Sequence, residues 1–205
     1  MKKLLLLMLL AIPATAAVYR SVLDRSVVVH MKLVVDGKLV KGGCSGTYIG
    51  PRTILTAAHC VDSAQQQIWV KDFDGKTFEC KVVKISAHSD LALLGLITKN
   101  YGGHKYSTLG KRSLLGDPII VVGSPFGLNF MLSRGIVSKL HMRLPPFTGR
   151  YLLHTAMINP GSSGGGLFNE KGQLVGVNTM TIGGLFGWAG ISAAVDTDTI
   201  RAFLR

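Results

Sequence analysis

The stretch NPGSSGGGLFN, residues 159–169, sets two adjacent serines, Ser162 and Ser163, among the glycines Gly161, Gly164, Gly165 and Gly166. A serine hydroxyl can act as a nucleophile in acyl transfer when an imidazole takes its proton and a carboxylate orients that imidazole. Residues 161–165 fit a GxSxG pentapeptide, which has two mechanistic readings. In a nucleophile elbow the serine lies between a strand and a helix, and the acid and histidine follow it in the chain. Here GGGLF is a poor helix start, and no histidine follows Ser163, since the last is His154. The remaining order puts histidine and acid upstream and serine last.

Of the histidines His30, His59, His88, His104, His141 and His154, His59 has the most telling setting. It closes the apolar run ILTAAHC beside Cys60, and Cys44 and Cys60 are candidates for a disulfide. Such a bond would fix the backbone next to an imidazole that must hold one orientation as a general base. Cys80 is left over and reads as a small buried hydrophobe. The acids between His59 and Ser163 are Asp62, Asp72, Asp74, Glu79, Asp90 and Asp117. Asp72 and Asp74 belong to a hairpin turn, Asp117 to a GDP turn, and Asp62 is very close to His59 in the chain. Asp90 opens the strongly apolar DLALLGL, where a carboxylate has little other reason to stand.

These residues need elements to carry them. The chain has 205 residues, 47% hydrophobic and 17% charged, enough for one globular domain or two small halves. The first residues, MKK followed by LLLLMLLAI and then Pro13 and ATAA, read as a secretory signal with cleavage after Ala16 or Ala17. Export permits disulfides. Beyond it, runs rich in β-branched residues alternate with turns: SVVVHMKLVV, KLVKGGCSGTYIG, QIWVKDF, KTFECKVVKIS and DLALLGLI. Asp36-Gly37 and Asp74-Gly75 sit between such runs as hairpin turns. A polar stretch, TKNYGGHKYSTLGKRS, joins these to DPIIVVG, RGIVSKLHM, RYLLHTAMI, GGLFN, GQLVGVNTM and GWAGISAAV. Only DTDTIRAFLR reads as a helix, capped by Asp196 or Thr197. The expectation is an all-β protein, with no βαβ rhythm and no internal repeat.

TAAHC, HSDLALLGL and NPGSSGGGLFN together resemble the three catalytic motifs of chymotrypsin-fold, trypsin-like serine proteases, and GSPFGLNFMLSRGIVS resembles the HtrA branch of that fold. The resemblance covers roughly residues 26–204. It implies two antiparallel six-stranded β-barrels with a short C-terminal helix: residues 18–110 as the barrel carrying His59 and Asp90, 111–205 as the barrel carrying Ser163, and 1–17 as the signal. It implies Ser163, the serine followed by two glycines, as nucleophile, His59 as base and Asp90 as orienting acid. The backbone N–H groups of Gly161 and Ser163 would form the oxyanion hole. No metal or other cofactor is required, and no cysteine–histidine cluster has zinc spacing. Where trypsin-like zymogens keep an aspartate to receive a freed N-terminus, this chain has Ser162. HtrA proteins usually continue into a PDZ domain, whereas this chain stops at Arg205 and reads as a protease domain alone.

The same resemblance implies a substrate pocket with Met157 at its base, Thr179, Met180 and Thr181 on one wall, and Ser192 and Ala193 near the other. A pocket without a carboxylate does not offset desolvation of Lys or Arg, so cleavage after small or medium apolar residues is expected. The partners expected are protein or peptide substrates, with a homo-oligomer in keeping with HtrA relatives. The formal charge is +12, but its lysines and arginines are scattered, which argues against a specific nucleic-acid site. A membrane enters only if the signal segment is retained. Two other functions compete: a catalytically silent cationic binding protein on the same fold, and a structural β-domain with a glycine-rich loop.

Overall fold

The computed structural model describes residues 14–35, 38–62, 67–98, 103–145, 147–184 and 187–205. Most of the expected signal segment and the Asp36-Gly37 turn lie outside them. The β-branched runs form strands, as period-2 burial requires. In the first half these are β1 (Ser26–Val35), β2 (Lys38–Gly50), β3 (Thr53–Thr56), β4 (Gln67–Asp72), β5 (Thr77–Ser86) and β6 (Leu91–Leu96). In the second they are β7 (Pro118–Gly123), β8 (Met131–Met142), β9 (Tyr151–His154), β10 (Gly166–Phe168), β11 (Leu174–Gly184) and β12 (Gly187–Asp196). Each set closes into an antiparallel barrel, ordered β1-β2-β3-β6-β5-β4 and β7-β8-β9-β12-β11-β10. The two orders are the same, so the halves share a topology that no sequence repeat betrays.

Alternation fills the first barrel with Val27, Val29, Tyr48, Ile54, Val70, Phe78 and Leu94, and the second with Ile119, Val121, Val137, Leu152, Leu167 and Ala194. Cys80 lies free and buried in the first core, its thiol pushed up to about 12 by burial. A third apolar cluster joins the barrels: Leu55 and Leu91 from the first meet Ile120, Val122, Tyr151 and Phe168 from the second. Each such aliphatic side chain contributes about 1.5–3 kcal/mol on burial. The cleft between the barrels is therefore set on a packed base.

Two helices cap this central cluster. The expected one, α2 (Thr197–Leu204), starts at Asp196, whose carboxylate accepts from the Thr199 N–H at 2.8 Å, and buries Ile200 and Phe203. The other corrects the expectation of a single helix: Ala14–Leu23 forms α1, running through the expected cleavage site. Its Val18, Tyr19, Val22 and Leu23 fall at helical spacing and pack on the same cluster, with Val22 fully buried. The small residues ahead of that stripe follow MKK and an apolar run, which is why they read as a cleavage site. Among the described residues no helix is long and apolar enough to cross a membrane.

Candidate active site

His59 sits in a single 3-10 turn, Ala58–Cys60, directly after β3. The small residues of TAAHC determine its pose: Ala57, Ala58 and Cys60 are buried, and the imidazole is left 42% exposed. Cys60 is joined to Cys44 of β2 by a disulfide, so the turn is tied to the barrel wall. Cys44, His59 and Cys60 are close enough to share a metal ion, but the disulfide engages both sulfurs.

Asp90 ends the turn before β6 and is fully buried. Its φ of 54° is left-handed, a conformation that short polar side chains tolerate better than most. A buried carboxylate needs donors, and it has three. The His59 backbone N–H donates to Oδ1 at 3.0 Å, and His59 Nδ1 lies 2.9 Å from both carboxylate oxygens. The Thr179 hydroxyl donates to Oδ2. The hydrogen bond to Asp90 raises the His59 pKa, against the opposing effect of burial. With Nδ1 carrying the proton that faces Asp90, Nε2 presents a lone pair. Tyr151, whose hydroxyl donates to the Ser89 carbonyl at 3.3 Å, braces the same turn from the second barrel.

The two serines of the glycine-rich stretch face different ways. Ser162 is 2% exposed, and its Oγ accepts from the Asn159 N–H at 3.3 Å. Ser163 is half-buried, and its hydroxyl donates to the Thr179 carbonyl at 3.2 Å. Thr179 thus touches Asp90 with its side chain and Ser163 with its backbone. The Ser163 carbonyl accepts from the Ser45 N–H at 2.8 Å and lies 3.9 Å from Cys60 Sγ, beside the His59 turn.

The backbone around Ser163 is fixed from both barrels. The Pro160 carbonyl accepts from the Phe126 N–H at 2.9 Å. In a trans peptide the next N–H points the opposite way, so Gly161 N–H is aimed away from Phe126. Among the described residues, neither the Gly161 nor the Ser163 N–H donates a hydrogen bond. Gly161 adopts a φ of 102°, and a Cβ there would lie 2.4 Å from the Ser124 carbonyl oxygen, so only glycine fits. Ser45 locks the arrangement: its Oγ donates to the Gly161 carbonyl at 2.8 Å and accepts from the Ser124 N–H at 2.9 Å. Thr56 in turn donates to the Ser45 carbonyl at 2.7 Å.

The residues expected around a substrate pocket are placed less uniformly. Thr179 is 4% exposed, and its side chain holds Asp90 instead of walling a pocket. Met180 pairs with Ala193 and Thr181 with Ser192 across β11 and β12. Ser192 is fully buried and donates to the Ala156 carbonyl at 2.9 Å. Met157 is 51% exposed and lines a cavity of about 220 Å³ with Val121, Pro125, Met131, Leu132 and Asn159, behind the Ser162 side of the loop. None of these six expected positions carries a charge. Sequence reasoning missed Ser45, Thr56 and the Asp90-holding role of Thr179. For Ser45 the one signal was its place beside Cys44.

Comparison with known proteins agrees with this geometry. Residues 44–177 match the family model described as a trypsin-like peptidase domain. "Serine protease HTRA1" of Xenopus laevis is 34% identical over 158 residues, covering 74% of this chain and 33% of the relative. "Probable periplasmic serine endoprotease DegP-like" of Pseudomonas putida is 36% identical over 146 residues, 71% of this chain and 30% of the relative. "Probable periplasmic serine protease do/HhoA-like" of Haemophilus influenzae is 36% identical over 149 residues, 71% and 32%. The chain spans about a third of the length of these relatives. With two barrels of one topology, a buried Asp90 holding His59, and a glycine-rich Ser163 loop between them, the chain belongs to the trypsin-like peptidase domain family, on its HtrA-like branch.

Proposed function

We propose that this protein is an exported serine endopeptidase working through His59, Asp90 and Ser163. The observation that carries the reading is the bridge made by Thr179: its hydroxyl on Asp90, which holds His59, and its carbonyl on the Ser163 hydroxyl. Rotation of the Ser163 side chain turns its hydroxyl from that carbonyl to His59 Nε2. Nε2 takes the proton as Oγ attacks the scissile carbonyl, and the resulting imidazolium is stabilised by Asp90. The unengaged N–H groups of Gly161 and Ser163 receive the oxyanion. His59 then gives its proton to the leaving amine, and water repeats the sequence on the acyl-enzyme. Asp90 and His59 are assigned to the 18–110 barrel and Ser163 to the 111–205 barrel.

Export is supported by the signal-like residues 1–17, by the Cys44–Cys60 disulfide, and by relatives whose names place them in the periplasm. The absence of charge at Met157, Met180, Thr181, Ser192 and Ala193 supports cleavage after small or medium apolar residues. A peptide library digested by the wild-type protein tests this preference. Cleavage confined to Lys or Arg sites would refute it, and failure to cut any unfolded protein substrate would refute the endopeptidase reading.

A further inference from the structure

His154 takes no part in the chemistry described above, yet it stands fully buried at the end of β9, in the middle of the apolar run YLLHTAMI. Its cross-strand neighbours are Val137 on β8 and Ser192 on β12. Its Nε2 lies 3.0 Å from Asn178 Oδ1. We propose that His154 is a positioning residue for the Ser163 loop: its Nε2–H holds the Asn178 side-chain amide, and that amide clamps the Gly165 carbonyl two residues after Ser163.

The direction of each bond follows from the Gly165 carbonyl. This oxygen accepts from the Asn178 backbone N–H at 2.9 Å and from Asn178 Nδ2 at 3.0 Å. Nδ2 must therefore face Gly165, which turns Oδ1 towards His154. An amide oxygen only accepts, so the ring proton of neutral His154 belongs on Nε2. Nδ1 is then the unprotonated nitrogen, buried in the core. Burial pushes the His154 pKa down to about 4, against the hydrogen bonds to Asn178 and to the Ala156 backbone, so the ring is neutral near pH 7. A leucine would fill this core position without a bare nitrogen. What offsets that cost is the bond to Asn178.

Asn178 is where the loop and the rest of the site meet. Its carbonyl accepts from the Gly164 N–H at 2.8 Å, so it grips both residues that follow Ser163. The next residue, Thr179, lies in a break of register between β11 and β12, from Asn178 paired with Ala194 to Met180 paired with Ala193. That bulge aims the Thr179 side chain at Asp90 and its carbonyl at Ser163. Releasing the Asn178 amide loosens the attack geometry while leaving the substrate-contacting surface in place. A loss in kcat with little change in KM follows.

This inference rests on the proposed protease activity, and the test separates the two. His154→Gln places an amide nitrogen where Nε2 stands, whereas His154→Asn places one near Nδ1, out of reach of Asn178. The expected result is that His154→Gln keeps kcat and the rate of fluorophosphonate labelling within about threefold of wild type. His154→Asn loses about tenfold or more in both, with KM and melting temperature close to those of His154→Gln. Equal rates in the two variants, in a protein whose wild type is labelled, would overturn the clamp. Nitrogen-15 NMR of the wild type decides the point without any variant: a protonated Nε2 and a bare Nδ1 on His154 support it, and the reverse tautomer overturns it. A wild type that resists labelling refutes the protease reading, and the tautomer still decides the clamp.

Discussion

Replacing Ser45 by alanine removes one hydroxyl that lies 2% exposed between the two barrels. The main chain of Ser45 keeps its bonds to the Ser163 carbonyl and the Thr56 hydroxyl, so the effect isolates the side chain. Two groups lose their partner: the buried Ser124 N–H and the half-buried Gly161 carbonyl. An orphaned buried donor costs about 1–3 kcal/mol, and the carbonyl, which water can reach, about 1 kcal/mol, giving a loss of about 2–4 kcal/mol. At this chain length each kcal/mol lowers the melting temperature by about 2–4 °C, so a fall of roughly 4–16 °C is expected in calorimetry. Activity falls too, because the Gly161 peptide is no longer held on its carbonyl side. Loss of a whole oxyanion donor costs about 10²–10³ in kcat, and a donor that is present but loosely held should cost about tenfold. Ser45→Ala melting within about 1 °C of wild type and turning over at the wild-type rate would refute the reasoning, since the bonds assigned to its Oγ would then support nothing.

Other perturbations act on single links of the site. In Asp90→Asn the hydrogen bond to a carboxylate that raises the His59 pKa is gone, together with its charge, so the acid limb of the kcat/KM profile moves to lower pH while the plateau drops by about 10⁴. The same charge makes protonated His59 stabilising below its unfolded pKa of about 6.5, and that contribution disappears as pH rises through the raised native value; urea melts across this range should show the dependence in wild type and not in Asp90→Asn. Reducing the Cys44–Cys60 disulfide, which spans 16 residues, should cost about 3 kcal/mol in urea unfolding, and an unchanged midpoint would contradict it. Thr179→Val keeps the backbone carbonyl but withdraws the hydroxyl from Asp90, so kcat should fall about tenfold with KM unchanged.

The strands were legible because burial on a pleated surface leaves a local mark: SVVVHMKLVV announces itself by β-branched residues and LALLGL by a short, continuous apolar run. Asp74-Gly75 marked its hairpin for the same reason, with Gly75 at a φ of 84°. His59 and Asp90 were legible through local contrast, a polar group standing at the edge of apolar runs. Contacts between distant segments leave no such mark. Ser45 meets Gly161 across 116 positions, and nothing in KGGCSG names that partner. Thr179 was placed on a pocket wall by the resemblance alone, and nothing in GQLVGVNTM names Asp90, 89 positions away, as the partner of its hydroxyl. His154, as one histidine in an apolar run, was indistinguishable from a core residue until Asn178 was seen beside it. The α1 helix was hidden by its position, since VYRSVL follows directly on residues with the composition of a cleavage site.

Ser163, and not its buried neighbour Ser162, is the proposed nucleophile. Mass spectrometry of the folded protein after reaction with a fluorophosphonate locates the adduct directly. The expected result is one adduct on Ser163, retained in Ser162→Ala and absent in Ser163→Ala, with labelling that also depends on His59. An adduct on Ser162, or none on correctly folded wild-type protein, would contradict it.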